Sequence, residues 1–206
     1  MSSELPPQTR GSLLARLVDS ADQAAWVEFV DVYSGLVHRD VCRRGVPHPD
    51  CDDVLQVIFL RLLKTLPEFQ YQPFRGRFRD WLGTVIRFEV ARYRRDHGRK
   101  REIALDPSVL DFQMTPDSDP EWSEAFQTTV LAAALERSRP RFDPATWEAF
   151  LQVWVAHRTP AEVANDFGKS VDWVYVAKSR ALKMVAEQVQ LLVDGFPFSQ
   201  GTSDGD

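Results

Sequence analysis

Cysteine is nearly absent: Cys42 and Cys51 are the only two in 206 residues. That is too few for the disulfide framework of a small secreted domain, and it fits a reducing compartment. Long apolar runs are missing too. None approaches the ~20 residues of a membrane helix, and the opening MSSELPPQTR lacks the basic-then-apolar order of a secretory signal. A cytoplasmic chain with no membrane partner is therefore expected. Strand signals are scarce, with no convincing run of alternation bounded by turn residues. There is no P-loop, no G-x-S-x-G and no H-E-x-x-H, and Asp52 with Asp53 reads as a helix start rather than a catalytic pair. The chain is not expected to be an enzyme, and no cofactor is expected.

What is present is charge of both signs, unevenly placed. The net charge is -5, yet residues 75–101 hold ten Lys/Arg against three Asp/Glu, so this segment is +7 and the remaining 179 residues sum to -12. Residues 102–136 carry eight acidic side chains and no basic one. A basic stretch followed at once by an acidic one implies two surfaces with different partners, the first a polyanion.

Helical periodicity recurs throughout, so the fold class is all-α: two small helical domains joined by a flexible acidic linker, the second a helix-turn-helix. The boundaries are a tail over 1–9, a first domain over 10–101, a linker over 102–123, a second domain over 124–193 and a tail over 194–206. Trp26, Phe29, Val30, Tyr33 and Val37 share one helix face. Gly45, Pro47 and Pro49 break the chain, and Asp50 or Asp52 caps the next helix, DVLQVIFLRLLKTL, whose wide apolar arc predicts a central position. A further helix from about Phe78 to the mid nineties places Phe78, Leu82, Val85, Ile86 and Tyr93 toward a core and Arg87 and Arg94 on the opposite side, with Arg92 and Arg95 in a second stripe. Cationic side chains with aromatics nearby describe single-strand or melted-duplex binding. Phe69, Tyr71 and Phe74 are the better stacking residues, because Phe78 and Trp81 share a phase with the core positions.

The most diagnostic local pattern is RTPAEVANDFGKSVDWVYVAKSRALKMV, residues 158–185. Thr159 as N-cap, Pro160 at the first helical position and Glu162 at the third specify a helix start. Gly168 ends that helix and Ser170 caps the next, the arrangement of a helix-turn-helix whose second helix enters the major groove. On that second helix Val171, Val174, Ala181, Leu182, Val185 and Val189 form the apolar side. Ser170, Asp172, Trp173, Val176, Ser179, Arg180 and Lys183 are assigned to DNA, Arg180 and Lys183 suiting phosphate or guanine contacts.

His38, Cys42, His48 and Cys51 place four zinc-type ligands within 14 residues, the first two one helical turn apart. Their spacing matches no common zinc finger, so no metal is expected.

The two modules and acidic linker resemble a bacterial RNA polymerase sigma factor of the extracytoplasmic-function group, in the sigma-70 family. DDVLQVIFLRLLKTLPEF is similar to the family's D-V-x-Q-x-x-F-L helix, GRFRDWLGTVIRFEVARYRR to its F-x-x-W-L-x-x-I-x-R segment, and GKSVDWVYVAKSRAL to its G-x-S-x-x-x-V-x-x-x-x-S-R-A pattern. TWEAF and VYVAKSR are similar to forms in a planctomycete subgroup. The resemblance implies core RNA polymerase and promoter DNA as partners, and admits an anti-sigma factor or other signalling regulator. It implies a polymerase contact at Asp53, Gln56, Val57 and Leu60. Capture of the non-template strand at the minus 10 element falls to Phe69, Tyr71, Phe74, Arg75, Arg77, Arg87, Arg92, Arg94 and Arg95. Reading of the minus 35 element falls to the helix from Val171. Val57 replaces the family's usual Glu, Phe88 an Asn that often follows the Arg, and Asp172 with Trp173 the small residues that start the reading helix. The nearest rival is a stand-alone helix-turn-helix transcriptional regulator, which binds as a dimer and has no need of loop aromatics.

Overall fold

The computed structural model describes residues 12–19, 21–66, 78–97 and 119–193. Every α-helix and turn among the described residues agrees with an all-α chain, and no strand occurs among them. The helices are α1 (Leu13–Leu17), α2 (Gln23–Arg43), α3 (Cys51–Thr65), α4 (Phe78–His97), α5 (Pro120–Ser138), α6 (Pro144–Trp154), α7 (Pro160–Phe167) and α8 (Val171–Val193). They fall into two compact units, Ala15–Thr129 and Met1–Leu14 with Val130–Asp206, so that α5 spans the division.

In the first unit, Asp22 caps α2 by accepting from the Ala25 N–H at 2.8 Å. The buried stripe of α2 is Phe29, Tyr33, Leu36, Val37 and Val41, while Val30 stays 40% exposed. An aromatic cluster forms the centre. Phe78, which opens α4, meets Phe29, Tyr33, Trp81 and Phe126 with ring centroids 5.7 to 6.3 Å apart. Edge and tilted contacts of this kind add to the large apolar area that each ring buries.

α3 departs from the central position its composition predicts. It buries one face, Cys51, Val54, Ile58 and Leu62, and leaves Val57, Leu60 and Leu63 at 44, 58 and 42% exposure. An apolar arc wider than its packing partners can cover remains partly in solvent.

α5 begins earlier than periodicity suggests, because Asp119 acts as its cap: one carboxylate oxygen accepts from the Glu121 and Trp122 N–H groups at 3.1 and 3.3 Å, and Pro120 takes the first helical position. Trp122 is buried and its indole N–H donates to the Arg79 carbonyl at 3.2 Å. Arg43 ties the same point to α2, reaching Asp119 at 2.5 Å, Glu121 at 2.8 Å and the buried Asp40 at 2.6 Å. Burial pulls the Arg43 pKa down, but the hydrogen bonds to Asp119 and Asp40 outweigh it and hold the pKa above its ordinary value. The Arg43 hydrogen bond in turn holds Asp119 below the usual carboxylate range. A carboxylate with a depressed folded pKa stabilises above its unfolded value of ~3.9 and loses that contribution as pH falls through the folded value. Asp119→Asn is accordingly expected to speed amide exchange in the first turn of α5 at neutral pH. Below about pH 4 the wild-type difference should shrink. Equal exchange in both chains at neutral pH would refute the clasp.

The second unit packs α6, α7 and α8 around Ala149, Val153, Val163, Ala164 and Val174, with Phe167 and Trp173 against this core. Asp143 caps α6 through the Thr146 N–H at 2.9 Å. The expected capping box is present: Thr159 Oγ1 accepts from the Glu162 N–H at 3.3 Å, and the Glu162 carboxylate accepts from the Thr159 N–H at 2.9 Å. Gly168 closes α7 in the left-handed conformation, with φ of 60° and no atom within 4 Å of where a Cβ would stand. Gly168→Ala therefore meets no steric clash and costs only the backbone penalty, about 1 kcal/mol. It should appear as a fall of ~4–8 °C in the melting temperature of this unit, and an unchanged melt would contradict the assignment.

Candidate nucleic-acid interface

α4 divides by face. Phe78, Trp81, Leu82, Val85, Ile86 and Val90 are buried, while Arg92, Arg94 and Arg95 are exposed and Arg87 is half-buried. Four arginines on one helix resist close approach unless partners on the protein hold them. Arg87 donates to Thr84 Oγ1 at 2.8 Å. Arg94 donates to the Arg44 carbonyl. Arg92 lies 3.9 Å from both Glu89 and Asp96. The buried Glu89 also takes the Arg61 guanidinium, which covers the Phe88 ring at 4.7 Å. Phe88 thus has a packing role. Arg79, also in the basic stretch, is structural: it pairs with Asp80 at 2.9 Å and donates to Ser123 at 2.7 Å. Tyr93 is half-buried, and its hydroxyl donates to Asp50, which together with burial raises its pKa. The loop residues Phe69, Tyr71, Phe74, Arg75 and Arg77 lie outside the described residues, as do Arg99 and Arg101.

A second surface lies on α3. Asp53, Gln56, Val57 and Leu60 are all exposed and share a face by their spacing. Beside them, Gln56, Phe59, Leu60 and Leu63 form a shallow apolar groove with Trp26 and Val30 of α2. The Trp26 indole N–H is buried with no acceptor among the described residues. Sequence reasoning put Trp26 on the core face of α2. It instead contributes to the rim of an open groove, because α3 leaves that side uncovered.

On α8, Ser170, Asp172, Val176, Ser179, Arg180 and Lys183 are exposed. Ser170 Oγ accepts from the Trp173 N–H at 3.2 Å, closing the helix start. Trp173 is set apart from the others. It is half-buried and packs toward Phe167, ring centroids 6.0 Å apart. Tyr175, 56% exposed, belongs to the surface stripe in its place. The signal was available: 172, 175, 176, 179, 180 and 183 follow i, i+3, i+4, i+7, i+8, i+11, and 173 does not.

Cys42 and Cys51 form a disulfide with Cα atoms 5.9 Å apart. The sequence pointed instead to a reducing compartment without a disulfide framework. The turn at Gly45, with φ of 84°, folds the end of α2 back onto the start of α3 and brings the pair into range.

Residues 29–100 match the family model described as Sigma-70 region 2. The ECF RNA polymerase sigma factor SigE of Mycolicibacterium smegmatis is 27% identical over 126 residues, 61% of this chain and 46% of that protein. The ECF RNA polymerase sigma factor BldN of Streptomyces coelicolor is 25% identical over 179 residues, 84% of this chain and 65% of that one. The chain therefore spans about half to two thirds of the length of the curated relatives it matches. Among solved structures, the RsbN-BldN complex aligns at 21% identity over 84% of this chain and 97% of that one, with a TM-score of 0.34. No helix among the described residues is long and apolar enough to cross a membrane. Residues 29–100 are thus similar to sigma-70 region 2, and over a longer span the chain has weak similarity to extracytoplasmic-function sigma factors.

Proposed function

We propose that this protein is a sigma factor of the extracytoplasmic-function group, which binds core RNA polymerase and directs promoter-specific initiation. What supports the reading most is that the region 2 match coincides with two separate surfaces of one unit, an exposed mixed face on α3 and an exposed cationic face on α4. In this reading residues 10–101 form the sigma-2-like module, 102–123 the linker and 124–193 a sigma-4-like helix-turn-helix module, and the forms TWEAF and VYVAKSR place the chain near a planctomycete subgroup. Asp53, Gln56, Val57 and Leu60 meet the polymerase. Arg87, Arg92, Arg94 and Arg95, with the loop residues Phe69 to Arg77, hold the minus 10 strand. α8 reads the minus 35 element through Asp172, Val176, Ser179, Arg180 and Lys183, with Tyr175 added to that set. The relatives SigE and BldN are ECF RNA polymerase sigma factors. A stand-alone helix-turn-helix regulator would use α8 in the same way, yet it has no use for an uncovered α3 groove.

Association with core polymerase separates these readings. The chain is expected to co-elute with core enzyme on gel filtration. Leu60→Asp, which sets a charge in the centre of an apolar contact, should weaken that association by about tenfold or more, the equivalent of ~1.4 kcal/mol. A chain that never joins polymerase but shifts duplex DNA alone would favour the regulator.

A further inference from the structure

The geometry points to a site for a thiophilic divalent ion of the zinc class at Cys42, Cys51 and His38, available when the two cysteines are reduced. The inference stands apart from the proposed sigma function. Cys42 lies in the last turn of α2 and Cys51 opens α3, and the ligand atoms of these two residues and His38 all lie within 4.8 Å of one another. His38 Nε2 is 3.9 Å from Cys42 Sγ. Two ligands at tetrahedral corners of one zinc, with Zn–S about 2.3 Å and Zn–N about 2.1 Å, stand about 3.6 Å apart, so the observed spacing fits a shared ion. Asp52 lies beside the site, though its carboxylate is not among the ligand atoms that all fall within 4.8 Å of one another. Its Oδ1 lies 3.4 Å from the same His38 nitrogen, the separation of about 3.4 Å expected for nitrogen and oxygen on one zinc. The Asp52 side chain is 77% exposed, so the fourth ligand comes from solvent or from Asp52 after a change of rotamer. His48, the fourth ligand that spacing suggested, is exposed, with its ring centroid 6.0 Å from that of His38. Spacing along the sequence matches no common finger because the ligands come from two helix ends joined by a tight turn.

The disulfide and the ion exclude each other, because both use the same two sulfurs. A dithiol reductant supplies two electrons and two protons, leaving Cys42 and Cys51 as thiols and itself as a disulfide. Binding of the ion then releases the two thiol protons to solvent, with no change in the metal's charge. A disulfide oxidant reverses this by taking two electrons from the two thiolates, and the ion leaves. Cys51 is fully buried and Cys42 half-buried, so the sulfur side of the site is shielded from water. Either state pins the start of α3 to the end of α2.

The test is titration of the full chain, reduced with a phosphine and kept anaerobic, with cobalt(II) and then zinc(II). One equivalent of cobalt should bind with intense near-ultraviolet sulfur-to-cobalt charge-transfer absorption, and zinc, the stronger binder, should displace it. The same chain oxidised to the disulfide should bind none. Cys42→Ser and Cys51→Ser should each weaken cobalt binding and reduce the charge-transfer band. His38→Ala should keep sulfur charge transfer but lose about tenfold or more in affinity, in line with the loss of one ligand. Circular dichroism checks that each variant is folded, and the comparison of reduced with oxidised wild type needs no variant at all. A reduced chain with two titratable thiols that binds no cobalt, or one whose binding is the same oxidised or without the cysteines, overturns the proposal.

Discussion

Changing Arg87, Arg94 and Arg95 together to glutamine is expected to cut promoter opening severely and to leave association with core polymerase nearly intact. The three side chains lie on the face of α4 away from the buried Phe78, Leu82 and Ile86, and on a different helix from the exposed α3 residues. Arg87 is held by the Thr84 hydroxyl and Arg94 by the Arg44 carbonyl, contacts that a glutamine amide can partly replace. What glutamine cannot replace is the positive charge opposite a phosphate. If each lost contact costs ~1 kcal/mol, three cost ~3 kcal/mol, and the yield of open complex falls by about two orders of magnitude. The salt dependence should flatten as well, since each single-strand phosphate contact contributes ~0.7 to the slope of log affinity against log salt, and about two units should disappear. Permanganate footprinting measures the opening and gel filtration the association. A folded triple variant that opens promoters normally, or one that loses polymerase, would show that this face serves another partner.

The second large effect is on stability. Phe78→Ala should strongly destabilise the first unit. Phe78 is 1% exposed and touches rings from α2, α4 and α5 at once. Removing a buried phenyl costs ~3–5 kcal/mol, against a whole-domain stability of ~5–15 kcal/mol. The melting temperature of this unit should fall by ~10 °C or more, while α6 to α8 melt as before. A shift of only a few degrees would mean that the aromatic cluster repacks around the hole, contrary to the dense packing inferred for it.

The parts of the molecule that were legible in the sequence are those set by local chemistry. Thr159, Glu162 and Gly168 specify a cap, a box and a stop within a single stretch, and each forms as its side-chain chemistry requires. The division of α4 into apolar and cationic faces follows from phase alone. Where the expectation failed, the deciding fact was tertiary. Composition makes α3 look central, yet only the packing of neighbouring helices decides which apolar side chains are covered, and Val57, Leu60 and Leu63 are not. Trp173 sits at the margin of the α8 surface, and Phe167 from the preceding helix draws it inward. The cap at Asp119 was obscured by the prolines and scattered aspartates before it, which show no sustained period. The Cys42–Cys51 bridge depends on a chain reversal at Gly45 that no spacing rule encodes.

Transcription in vitro with purified core polymerase, over a library of promoter sequences, tests the central claim most directly. The chain is expected to make core enzyme initiate at a small subset of promoters that share two separated sequence elements. Substitution of Arg180 and Lys183 on α8 should weaken dependence on the upstream element, and substitution of the α4 arginines should weaken opening at the downstream one. Core enzyme that initiates no differently with and without the chain, at any promoter, would contradict the account.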